Sequence, residues 1–399
     1  MKILKLAIAL FFTLIVKTVW AQSVHGCTEG QCCNQTGNTL WEAYRDYWYT
    51  GVSVNQWEVE GNQDADWSII TKNFNWVVAE NCMKCEVIHP KEGIYDFTLA
   101  DQFVNKAKAA GLKVLGHCLI WHSQCAPWFH YDDKGNLVSA EVLKQRMREH
   151  IYTVVSHFKG RVDAWDVVNE AFEDDGTPRK SLFYQILGTD YIPLAFQYAH
   201  EADPNIQLFY NDFSMNKAQK VEGVANFFRP LIQQGLPVTA IGMQGHLVLE
   251  GNNYIEEYEH SIKTITALGV PTFFSELDLT VLPNPYGFSG ANISDAFVYR
   301  PEMDPFKNGL SKEKEAEIEQ FWVSFFQMLL RHHKDILRVN FWCLNDGNSW
   351  RNDFPIKGRT DYATLFDRQN RPKPFMQTLI NLVKPQPAEI KKTAKKKRQ

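Results

Sequence analysis

A single (β/α)8 barrel with its active site at the C-terminal ends of the strands is the α/β fold class the sequence predicts. Three observations carry that prediction. Eight short apolar runs recur between Gly51 and Asp346, amphipathic segments separate them, and the runs close on polar, reactive side chains. Strands that are apolar on both faces belong in a parallel sheet covered by helices, and the reactive groups of a barrel gather where its strands end.

The runs in order are GVSVNQW from Gly51, NWVVAENCMK from Asn75, KVLGHCLIWH from Lys113, VDAWDVVNEA from Val162, QLFYNDFS from Gln207, AIGMQGHL from Ala240, PTFFSELDLT from Pro271 and VNFWCLND from Val339. Each is of strand length and bounded by turn residues. Between the third and fourth, Leu143, Met147, Ile151, Val154, Val155 and Phe158 follow a 3.6-residue period, and Gly160 is a stop signal. NYIEEYEHSIKTITALG and EKEAEIEQFWVSFFQMLLRHH read as helices of the same kind. The run ends supply Glu80 and Lys84, His117 and His122, Asn169 and Glu170, Asn211 and Asp212, Gln244 and His246, Glu276 and Asp278, and Trp342 and Asp346.

Residues 1–21 read as a secretory leader: a basic start, an apolar run from Leu6 to Val16, and a cleavage site near Ala21. That run is too short to span a bilayer, and no later stretch reaches about 18 uninterrupted apolar residues, so an exported chain without a membrane span is expected. Residues 22–46 form a cysteine-containing arm, 47–385 the barrel and 386–399 a basic, disordered tail. The formal charge is −4; setting aside the leader's three lysines and the tail's six basic residues leaves −13 for residues 22–390. So acidic a body argues against nucleic acid as a partner. The tail is either a solvated end or an adhesive for an anionic surface. All eight cysteines follow the leader, where disulfides can form. Cys27, Cys32 and Cys33 are candidates for a local bridge, while Cys82 and Cys85, with Cys118, His122 and Cys125 near, raise a zinc site that lacks a second CxxC or HxxxH partner.

Glu170 ends the fourth run and Glu276 the seventh, so their side chains face each other obliquely across the barrel mouth. An ionisable group placed in low dielectric needs a reason. Two carboxylates in one cleft without metal ligands suit glycoside hydrolysis. The charge on one raises the pKa of the other, keeping an acid protonated beside an ionised nucleophile.

WDVVNE, GHCLIWHSQ, IGMQGH, SELD and FWCLNDGNSWR, in this order from about Tyr47 to Val383, resemble the family 10 glycoside hydrolases, mostly endo-β-1,4-xylanases. The resemblance implies a retaining double displacement on the internal bonds of xylan or a xylo-oligosaccharide, by a monomer needing no metal or cofactor. It makes Glu170 the general acid/base and Glu276 the nucleophile. Asn169 would hold the 2-hydroxyl of the sugar in subsite −1, and His246, oriented by Asp278, would bond Glu276. His117 and Gln244 match polar residues of the same site, and Glu80, Asn81 and Lys84 the group that grips the −2 sugar. Trp121, Trp342 and Trp350 match aromatic walls, and Gln124 borders the space a glucose hydroxymethyl would need. The insert LPNPYGFSGANISDAFVYRPEMDPFKNG resembles the Bacteroidota form, whereas NQT at Asn34 and NIS at Asn292 would be glycosylation sites in a eukaryote.

The chain also departs from the family pattern. It has ENCMKC where the family reads ENEMKW, YNDFS where it reads YNDYN, and Cys343 where a glycine usually follows the tryptophan. These changes put subsite affinity in question more than mechanism. A carbohydrate-binding protein without activity would be expected to lose a carboxylate, and both are present. A hydrolase of glucan is the other alternative, separable by a reducing-sugar assay on xylan and carboxymethyl cellulose. Serine or cysteine hydrolysis lacks a GxSxG motif and an assigned base for Cys82.

Overall fold

The computed structural model describes residues 39–61, 64–251, 253–288 and 293–384. The expected leader, Cys27, Cys32, Cys33, Asn34, Asn292 and the basic tail lie outside them. Among the described residues nine parallel strands are present: β1 (Tyr49–Val54), β2 (Trp76–Ala79), β3 (Lys113–Trp121), β4 (Ala164–Asn169), β5 (Gln207–Asp212), β6 (Ala240–Met243), β7 (His246–Val248), β8 (Thr272–Thr280) and β9 (Ile336–Phe341). Neighbours pair in sequence from β1 to β6, β6 pairs with β8, β8 with β9, and β9 with β1, which closes the barrel with eight staves.

The sixth run, expected as one strand, is broken into β6 and β7 at Gln244 and Gly245. Gly245 has φ +79°, and a Cβ there would lie 2.6 Å from Leu277. The kink lets β7 pair separately with β8, setting His246 opposite Asp278. A second difference lies at the start of the domain. Helix Leu40–Tyr44, before the expected boundary at residue 47, buries Leu40 and Tyr44 in the common core, and the Tyr44 hydroxyl donates to the Leu379 carbonyl at 2.8 Å.

The helix expected after Leu143 runs Ala140–His157 and buries Leu143, Met147, Ile151, Val154 and Val155 against the sheet. Full burial of such side chains is worth roughly 1.5–3 kcal/mol each. The floor of the barrel is filled by Trp76, Leu115, Phe209, Phe273 and Leu337. Arg338 lies among these rings, its guanidinium 4.5 Å from the Phe273 centroid, and burial pulls its pKa down to about 10. With the floor packed, the polar strand ends open to solvent only at the opposite face.

Candidate active site

At that face lies a cleft of about 720 Å³, and every residue expected at the site except Asp278 lines it: Glu80, Asn81, Lys84, His117, Trp121, Gln124, Asn169, Glu170, Gln244, His246, Glu276, Trp342 and Trp350. Asp278 lies fully buried beneath.

Glu170 follows β4 directly and adopts φ +57°, the left-handed region that costs a non-glycine residue about 1–2 kcal/mol. Neighbouring groups hold it there. Its N–H donates to the Asn211 carbonyl at 2.9 Å, and its carbonyl accepts from Arg179 Nε at 2.9 Å. Its carboxylate accepts from Trp121 Nε1 and from Gln244 Nε2, both at 2.8 Å. Trp121, expected as an aromatic wall, therefore also positions a carboxylate. An amide carries both a donor and an acceptor, so Gln244, with its amide turned over, can partner Glu170 in either protonation state.

Glu276 accepts from Asn211 Nδ2 at 2.9 Å, and His246 Nε2 lies 3.2 Å from its other oxygen. His246 Nδ1 is 3.0 Å from Asp278, which also accepts from Trp350 Nε1 at 2.7 Å and Arg351 Nη2 at 2.8 Å. Burial disfavours charge on the imidazole, but Asp278 and Glu276 outweigh it and raise its pKa to about 9. Burial would likewise raise Asp278, yet Arg351 and His246 hold it at about 2. Burial opposes ionisation of Glu276 too, and the bond and field of His246, the field of His117 and the Asn211 amide still keep it below the usual value. Glu276 is thus held ionised at neutral pH.

His246→Asn keeps a donor but removes the charge, so the Glu276 pKa should rise. Activity needs the ionised carboxylate and is lost as pH falls through that pKa. The acidic limb of kcat/KM is therefore expected to move to higher pH. A limb that stays in place would show that His246 does not govern Glu276.

Around the carboxylates, His117 Nδ1 meets Asp166 at 2.9 Å and presents its ring edge-on to Trp342. Lys84 donates to Asn81 Oδ1 at 3.0 Å and Gln124 Oε1 at 2.7 Å, with its ammonium 4.7 Å from the Trp121 centroid. Burial raises the pKa of Glu80 in spite of Lys84. Trp350 stacks on Phe354, which meets Phe288 of the insert.

Sequence reasoning did not assign roles to Asn211 or to the groups behind Glu170. Asn211 Nδ2 bonds Asn169 Oδ1 at 3.1 Å as well as Glu276, so one amide links two site residues. Lys220 and Asp212 form an ion pair at 2.8 Å, both fully buried. Tyr210 donates to Asp212 and accepts from the Ala171 N–H at 3.0 Å. A polar residue at a strand end was the available signal for Asn211 and Asp212; nothing in the spacing marked Lys220.

Two departures from the family pattern fall at left-handed backbone positions. Cys343 has φ +70° and Ser214 φ +52°. Glycine and asparagine, the family's residues there, tolerate the left-handed region best. Cys343 is held by donation of its N–H to Ser53 Oγ at 2.6 Å.

A closed barrel with two differently held carboxylates at its mouth defines a glycoside hydrolase, and residues 39–382 match the family model for Glycosyl hydrolase family 10. The chain belongs to that family. It is 43% identical over 350 residues to endo-1,4-beta-xylanase A of Xylanibacter ruminicola, covering 87% of this chain and 94% of that one. It is 37% identical over 313 residues to endo-1,4-beta-xylanase B of Paenibacillus barcinonensis, covering 78% and 89%. Among solved structures, a GH10 endoxylanase from a sugarcane soil metagenome superposes with a TM-score of 0.83 at 37% identity, over 86% of this chain and 99% of that one. A Paenibacillus barcinonensis xylanase complexed with a conduramine derivative gives 0.76 at 34%, over 86% and 98%.

Proposed function

We propose that the protein is an exported, monomeric endo-β-1,4-xylanase acting by retaining double displacement. The observation that carries this reading is the pairing of Glu276, held ionised by His246 and Asn211, with Glu170, held by Trp121 and Gln244 in the same cleft. Glu276 attacks the anomeric carbon while Glu170 gives its proton to the departing glycosidic oxygen. The ester so formed removes the charge on Glu276, and Glu170, having given up its proton, becomes the base for water. Water then attacks the anomeric carbon, the ester bond breaks, and the β configuration is kept.

Asn169 bonds the 2-hydroxyl in subsite −1, Glu80, Asn81 and Lys84 bind the −2 sugar, and His117, Trp342 and Trp350 complete the walls. The relatives named as xylanases support this substrate over glucan. The test is a comparison of aryl xylobioside with aryl cellobioside. A xylose-selective site fills the space of the hydroxymethyl group, and a clash or an unpaired polar group there can cost a few kcal/mol. The xylobioside should exceed the cellobioside in kcat/KM by at least about tenfold. Gln124→Gly should narrow the gap, and its φ of +46° suits glycine. Equal rates in the unmutated enzyme would favour the glucanase alternative, and an α-anomer as first product would refute retention.

A further inference from the structure

The ENCMKC segment, where the chain departs from its family, brings Cys85 against a second cysteine. Cys85 opens helix Cys85–Ile88 directly after Lys84, and Cys125 directly follows Gln124. The Cys125 thiol donates to Cys85 Sγ at 3.7 Å. The two segments are already fastened by polar contacts. The Glu86 N–H donates to the Gln124 carbonyl at 3.1 Å, and Gln124 Nε2 donates to Asn81 Oδ1 at 3.2 Å and to Glu86 Oε1 at 3.0 Å. Lys84 closes the corner through Gln124 Oε1.

We propose that Cys85 and Cys125 are a redox modification site whose disulfide locks the Lys84–Gln124 corner of the cleft. The assignment of that corner to sugar binding rests on the function proposed above; the assignment of the bond does not. A disulfide brings its sulfurs to about 2.05 Å, so this pair closes by about 1.7 Å, within reach of side-chain rotation when the sulfurs already face each other. Among the described residues, Cys82, Cys118 and Cys343 are buried and make no comparable sulfur contact.

The oxidant is a disulfide-bearing molecule. One cysteine thiolate attacks it to give a mixed disulfide, and the second cysteine displaces that adduct. Both thiol protons are released, and the oxidant's two sulfurs leave reduced with the two electrons. The hydrogen bond to Cys85, together with burial, pushes the Cys125 thiol well above its ordinary pKa, which slows exchange in the folded chain. The bond therefore forms most readily while the corner is still open during folding. It lies beneath Lys84 and Gln124 without touching the reacting atoms, so its effect falls on binding, through pre-organisation.

The test uses the full chain folded in a glutathione redox buffer, alkylated under denaturing, non-reducing conditions, digested and mapped by mass spectrometry. The expected result is one linked peptide pair carrying Cys85 and Cys125 and lacking two hydrogens, with Cys82, Cys118 and Cys343 alkylated. Reduction under conditions that leave the fold intact should raise KM for aryl xylobioside at least about threefold while kcat changes less than about twofold. Cys125→Ser and, independently, Cys85→Ser should match the reduced enzyme with or without reductant.

Alkylation of both cysteines after oxidative folding, or a link from Cys125 to Cys118, would overturn the bond. A confirmed bond whose reduction leaves KM unchanged would overturn its role in the cleft. If the chain does not act on xylosides at all, the peptide map still decides the bond, and only the function proposed above fails.

Discussion

Glu276→Ala is expected to abolish turnover, lowering kcat/KM by about 10⁴-fold or more on every substrate, because no other group can form the glycosyl ester. Glu170→Ala should behave differently. Losing the general acid costs about 10²–10⁴-fold where the departing oxygen needs a proton, and far less where the leaving group is an activated phenol. Without the base, the ester accumulates and gives a burst of phenol followed by slow turnover. Azide needs no general base, so it should restore the rate and give a β-glycosyl azide. Steady-state rates on xylan and on dinitrophenyl xylobioside, with and without azide, measure the asymmetry. The opposite pattern would exchange the two roles.

The second large effect is expected at Lys220, behind Glu170. Lys220→Met strands Asp212 as an unpaired carboxylate with no solvent exposure, and breaking a buried pair from one side costs about 3–5 kcal/mol. Burial already raises the Asp212 pKa even with Lys220 present, so the variant carboxyl should be neutral over a wider pH range. Asp212 also anchors Tyr210, which holds the Ala171 N–H beside Glu170. A loss of several kcal/mol in denaturant unfolding should therefore accompany slower cleavage of poor leaving groups. Lys220→Met with Asp212→Asn removes both charges and should recover much of the stability. A single variant as stable as the parent would show that the pair contributes nothing.

The barrel was legible because its signals are local. Each stave is a short apolar run ending in polar groups, and both carboxylates stand in motifs read within six residues. What escaped depends on contacts between distant segments. Asn211 meets Asn169 and Glu276 from 42 and 65 residues away, and Lys220 turns back to Asp212 from the first turn of helix Ala218–Gln233. Gly245 lay inside the sixth run, but the break it permits depends on Leu277 leaving no room for a side chain. Helix Leu40–Tyr44 was assigned to the arm because its partners lie on a helix more than 300 residues later. The thiol pair was legible only as two members of the group Cys82, Cys85, Cys118 and Cys125, since 40 residues separate them.

That first helix also bears on connectivity. Tyr44 bonds Leu379 in helix Pro374–Leu382, so the first and last helices of the folded unit are neighbours, although β1 and β9 already close the sheet beside them. The first helix leads directly into β1, on the face where strands begin, away from the cleft. The order in which the staves are threaded is therefore incidental to the finished cylinder. A short peptide from residue 384 to residue 39 would make the chain a circle, which could be reopened in any exposed loop on the floor side without cutting through the catalytic mouth.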